Sequence, residues 1–143
     1  MFEYNKTCDA YEKMSFDELR GIAINDSVAI MPALLAMGKD GPKTFCLFAY
    51  VACASSGRLE LEEYKLFEEI LGISVPYEQV QAMIEVGKDR DTIKAVEDII
   101  DMYGILDEQI KIHMVSFCLA FCAANGKVDL RERRLIRKLI RES

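Results

Sequence analysis

The chain has 143 residues, of which 51% are hydrophobic and 29% charged, with a formal net charge of −6 and five cysteines. That length and composition exclude a disordered chain and allow one domain to bury roughly two-thirds of its unfolded surface. The negative balance excludes a general affinity for nucleic acid, which needs a clustered cationic surface to displace counterions. No uninterrupted apolar run reaches the roughly 18 residues of a membrane span, and residues 1–17 lack the basic start and apolar run of a signal peptide. The expectation is a cytoplasmic protein without membrane insertion, its odd number of cysteines held as reduced thiols.

Ser15 and Glu18 have the spacing of a capping box, so a helix is expected to start there and to run to about Asn25. Ser27 restarts an apolar stretch through Pro32 to Met37, either one kinked helix or two short ones. Gly38 to Pro42 reads as a turn, and residues 43–54 as a buried helix. A further helix is expected from about Glu60 to Leu71, with Leu61, Tyr64, Phe67, Ile70 and Leu71 on one face and Gly72 as its stop. Pro76 suits the first turn of the next, to about Gly87. Asp89 or Asp91 opens another, carrying Ile93, Val96, Ile99, Ile100 and Tyr103 as an apolar stripe and closing at Gly104. Helices from about Asp107 to Ala124 and from Asp129 to Arg141 complete an all-α bundle of about seven helices.

Shifted on itself by 69 residues, the chain pairs Phe48 with Phe117, Cys53 with Cys122, Ala54 with Ala123, Gly57 with Gly126, Leu61 with Leu130, Glu63 with Glu132 and Leu66 with Leu135 without a gap. These shared positions describe one structural unit twice: an apolar helix, a glycine turn, an acidic cap and a second helix. The expected architecture is therefore a single domain over residues 1–143, with two pseudo-symmetric helix-turn-helix repeats at about 45–72 and 114–140.

The stretches Ala54-Ser55-Ser56-Gly57-Arg58-Leu59-Glu60-Leu61-Glu62-Glu63 and Ala123-Ala124-Asn125-Gly126-Lys127-Val128-Asp129-Leu130-Arg131-Glu132 resemble the turn motif of the TerB-like family, named for a tellurite-resistance protein. With their flanking helices they cover 28 and 27 residues, Phe45 to Gly72 and Met114 to Ile140. The resemblance implies a helical bundle with a pseudo-twofold axis, a role in bacterial stress-response assemblies and a divalent-metal site near the turns. Ser56 and Asn125 stand where the family motif has aspartate, which leaves those positions without carboxylates.

The spacing from Gly57 to Glu63, and from Gly126 to Glu132, also fits the second half of a calcium-binding helix-loop-helix. The first half does not fit: Ala52 and Ala54, or Phe121 and Ala123, occupy its ligand positions and offer no side-chain oxygen. Glu60, Glu63, Asp129 and Glu132 remain as the candidate metal ligands, an acidic patch able to bind a hard cation weakly if symmetry brings the turns together. The simpler reading of the same residues is helix capping, with Asp129 as N-cap and Glu132 reaching back to its amide.

Cys46, Cys53, Cys118 and Cys122 lie among Phe45, Phe48, Val51, Phe117 and Phe121, an apolar setting that suits core thiols better than zinc ligands. His113, the one histidine, shares its helix with Cys118 at a spacing of five, which points the two apart and excludes a nucleophilic pair. No serine-nucleophile motif or phosphate-cradling glycine loop is present. The chain is therefore read as non-catalytic, without a resident cofactor beyond a weakly bound divalent cation.

Arg134, Arg137, Lys138 and Arg141 form a cationic stripe opposite Leu135, Ile136, Leu139 and Ile140. Such a stripe serves as a solvated face that favours the negative end of its own helix dipole, or as a docking surface for an acidic protein partner, another copy included. The favoured function is a protein-interaction or scaffold module of TerB-like type; the alternative is a divalent-cation sensor using the acidic turns.

Overall fold

The computed structural model describes residues 3–38, 90–124, 128 and 130–140, together with positions 41, 45, 48, 49 and 78. Within them the chain forms five α-helices: α1 (Tyr4–Glu12), α2 (Phe16–Ala36), α3 (Arg90–Tyr103), α4 (Glu108–Ala123) and α5 (Leu130–Arg137), followed by a short 3-10 helix, Lys138–Ile140. The described residues contain no strand. The expected helices between residues 50 and 87, the first repeat unit beyond Ala49 and the glycine turns of both repeats lie outside them.

α4 is the centre of the molecule. From Met114 to Ala123 every residue is buried, as a helix that is apolar around its whole circumference requires. Its start is the one the spacing predicts: the Asp107 carboxylate accepts from the Gln109 amide at 3.1 Å. Among the described residues α2 supplies its most extensive partner surface, with Leu19, Ala23, Ile30 and Leu34 buried. Phe117 and Phe121 meet edge to face at 4.5 Å between centroids, Phe45 packs on Phe117 at 5.4 Å, and Phe45 also approaches Phe48 and Tyr103. One core cluster joins residues of all five helices. Phe48 and Phe117, which the 69-residue shift pairs in the sequence, both stand against Phe45.

Gly41 is helical where a turn from Gly38 to Pro42 is expected, and three further features differ from those read in the sequence. First, α2 does not end near Asn25 and restart at Ser27; it is one helix of 21 residues, and the Ser27 hydroxyl bonds back to the Ile24 carbonyl at 2.7 Å instead of capping a new helix. Pro32 sits within it on the exposed side, where its missing N–H deprives only the Val28 carbonyl of its intrahelical donor while Ile30 and Leu34 hold the buried face. Second, α1 has no counterpart in the reading above, because it carries no side-chain N-cap and only Tyr4 and Cys8 are buried. Third, the last helix changes from α to 3-10 at Lys138.

The Ser15–Glu18 capping box is present in both directions, Glu18 N–H to Ser15 Oγ at 3.2 Å and Ser15 N–H to Glu18 Oε1 at 3.3 Å. After α2 the backbone reverses at Gly38, whose φ of 123° favours glycine. Gly41 follows against the end of α2, where a Cβ would overlap the Leu34 carbonyl oxygen. By length and composition α2 is also apolar enough to cross a membrane, with Asp26 buried near its middle.

Candidate functional site

The most polar feature of the core is where α2 faces α4. Asp26 is 3% exposed, the one ionisable residue of α2 between Gly21 and Ala36, and its Oδ1 lies 2.8 Å from His113 Nδ1. The His113 ring is part-exposed while the Asp26 side chain is nearly enclosed, so the imidazole sits between the carboxylate and solvent. One turn along α4, the buried Ser116 hydroxyl is hydrogen-bonded to the Tyr11 hydroxyl of α1 at 2.6 Å. Burial pushes the Asp26 carboxyl above its usual range, against the hydrogen bonds of His113 and Ser116, which favour the ionised form. Burial raises the Tyr11 phenol as well, again opposed by Ser116. Asp26 Oδ2 is buried without a hydrogen-bond partner of acceptable geometry among the described residues.

A carboxylate behind an imidazole nitrogen fixes the ring and its tautomer, an arrangement also found behind catalytic and metal-binding histidines. A catalytic pair needs a nucleophile or substrate group at the outer nitrogen. Among the described residues His113 Nε2 bonds to none, and Ser116, the nearest hydroxyl along the helix, is directed to Tyr11. The geometry orients an imidazole and ties three helices together; it does not assemble a nucleophile.

The second polar cluster fastens α1 to the turn before α5. Arg133 donates from Nη2 to Asp9 Oδ1 and to Glu12 Oε1, each at 3.0 Å, and from Nε to the Val128 carbonyl at 3.0 Å. Glu12 Oε2 accepts from the Val128 amide at 2.7 Å, and the Tyr4 hydroxyl donates to the Arg133 carbonyl. Both backbone groups of Val128 are thereby satisfied by charged side chains, a strong form of hydrogen bond. Burial works against the Arg133 charge, but its bonds to Asp9 and its proximity to Cys8, Glu12 and Asp9 hold the guanidinium above its usual value. Beneath the clasp, burial raises the Cys8 thiol and the Tyr4 phenol. Cys8, Cys118 and Cys122 are fully buried.

Of the four acidic residues named as candidate metal ligands, Glu60, Glu63 and Asp129 lie outside the described residues. Glu132 is 2% exposed in the first turn of α5, placed inward against the core. Among the described residues no group of three or more histidine, cysteine or acidic side chains is arranged to hold a metal ion. Of the cationic stripe, Arg134 and Arg137 are exposed and Lys138 is half-buried; Arg141 lies outside the described residues. Arg137 stands 5.9 Å over the Tyr4 ring, and Lys138 approaches Glu97 of α3 at 3.8 Å. Arg134 makes no ion pair among the described residues.

The chain matches no family model, no curated protein and no solved structure. The likeness to TerB-like proteins therefore rests on the two motif stretches of the sequence.

Sequence reasoning did not find the Asp26–His113 pair or the Arg133 clasp. Asp26 carried one usable signal, as the one ionisable residue between Gly21 and Ala36. The carboxylate partners of Arg133 are more than 100 residues away in the chain, and nothing in local spacing reveals them.

Proposed function

We propose that this protein is a non-catalytic protein-interaction module of TerB-like type, acting in the cytoplasm. The observation that carries the reading is the outward placement of Arg134 and Arg137, three residues apart on α5, above a buried face of Ile136 and Leu139. Arg137 is partly pre-positioned by Tyr4, which lowers the cost of ordering it in a complex. Planar guanidiniums on a protein of net charge −6 offer a local contrast that a carboxylate-rich partner surface complements. Tellurite-related or other stress-response assemblies are the setting that the family likeness suggests.

Crosslinking followed by mass spectrometry in native extract tests the reading. The expected result is a specific adduct near Lys138 that disappears in an Arg134→Glu, Arg137→Glu variant of unchanged circular dichroism. An adduct pattern indifferent to that charge reversal removes the stripe from the function.

A second reading, a divalent-cation sensor at the turns, draws on the acidic turn motif of the sequence, of which Glu132, buried in the first turn of α5, is the described member. Calorimetric titration with calcium, magnesium, manganese and zinc separates it from the first: binding abolished by Glu132→Gln supports a cation site, and absence of binding leaves Glu132 as a structural group of α5.

A further inference from the structure

We propose that the outer face of α2 is a contact between two copies of this chain, with α2 lying antiparallel on α2 of the second copy. The inference rests on the interaction-module reading and names one partner for it. On that face Ile24, Val28 and Leu35 are 37%, 70% and 57% exposed. At 3.6 residues per turn the three fall within an arc of about 40° and run for about 16 Å along the helix. Large apolar side chains scattered singly over a surface are ordinary; three on one helical line form a seam.

Charge decides which partner the seam suits. Between Gly21 and Ala36 the one ionisable side chain is Asp26, and it is turned inward to His113. The outer face is therefore neutral on a chain of net charge −6. Two such chains repel across most of their surfaces, and a neutral apolar face lets them meet without setting like charges together. The seam is also self-complementary. A twofold axis between Ala29 and Ile30 sets Ile24 of one copy toward Leu35 of the other and Val28 toward Met31, apolar on apolar, as an isologous contact demands. A lipid surface is the poorer occupant: the exposed charges on the first turns of α2 are Asp17, Glu18 and Arg20, without the lysine- and arginine-rich border of interfacial helices. One helix pair is a small interface, so the dimer is expected to form and dissociate with concentration.

Sedimentation equilibrium of the full chain tests this, using wild type, Val28→Glu, Val28→Lys and an equimolar mixture of the two variants. Val28 is 70% exposed, so neither charge enters the core, and circular dichroism checks the fold. The expected result is a wild-type mass rising toward twice the 16.2 kDa chain with concentration, monomers for each variant alone, and recovery of dimer in the mixture. A wild type monomeric throughout overturns the dimer while leaving the Arg134 and Arg137 reading standing, because that reading has its own variants. A dimer that survives Val28→Glu, or a mixture that stays monomeric, removes α2 from the contact. A monomeric wild type that co-sediments with phosphatidylcholine vesicles reassigns the face to lipid.

Discussion

At the scale of single residues, Asp26 is the position where stability and chemistry pull apart. Its carboxyl titrates above the usual 3.8 because burial penalises the charge. A group whose folded value is raised contributes stability below its unfolded value and loses that contribution as pH rises through the folded value. Ionised Asp26 therefore costs stability at neutral pH, and Asp26→Asn, the neutral isostere, is expected to raise the melting temperature at pH 7. The gain should shrink as pH falls through the raised value of Asp26, because the wild-type carboxyl is then neutralised as well. Thermal melts of both proteins from pH 4 to 8 check this; a variant less stable at pH 7 would show that the His113 hydrogen bond outweighs the desolvation.

The core gives a simpler residue-scale expectation. Phe117 touches Phe45 and Phe121 and is 1% exposed, so Phe117→Ala should cost about 3–5 kcal/mol in denaturant melts. A cost below about 1 kcal/mol would mean that α4 is not the packing centre.

Among the helices, the two ways of starting one separate clearly. α2 starts on side-chain bonds that local sequence spells out, and Ser15→Ala should destabilise it by about 1 kcal/mol. α1 has no such start and depends on the clasp made by Arg133, Asp9, Glu12 and Val128. Arg133→Ala should loosen α1 ahead of the core, seen as faster hydrogen exchange for amides of residues 8–12 while those of 114–123 stay protected. Equal loss of protection in both segments would show that α1 is part of the global unfolding unit.

This contrast also explains what was legible in the sequence. Ser15, Asp107 and Gly104 announce helix boundaries through chemistry confined to a few neighbouring residues, and the α3 and α4 boundaries follow closely. The Ser27 reading failed because a serine hydroxyl serves either as a cap or as a bond back to the preceding turn, and packing of α2 on α4 decided between them. The Asp26–His113 pair and the clasp join residues 87 and more than 100 positions apart, so their polar atoms found partners through the fold, not through spacing. The cationic stripe was legible because helical periodicity alone places Arg134 and Arg137 opposite Ile136 and Leu139.

For the whole molecule, the proposal is that the outward guanidiniums of Arg134 and Arg137, set on an acidic chain, bind a partner. Affinity capture from native extract at graded salt, with wild type beside Arg134→Glu, Arg137→Glu, tests that claim most directly. The expected result is a partner retained by wild type at low salt, released as salt screens the contact, and absent from the reversed variant. A partner captured equally by both proteins and indifferent to salt would contradict it.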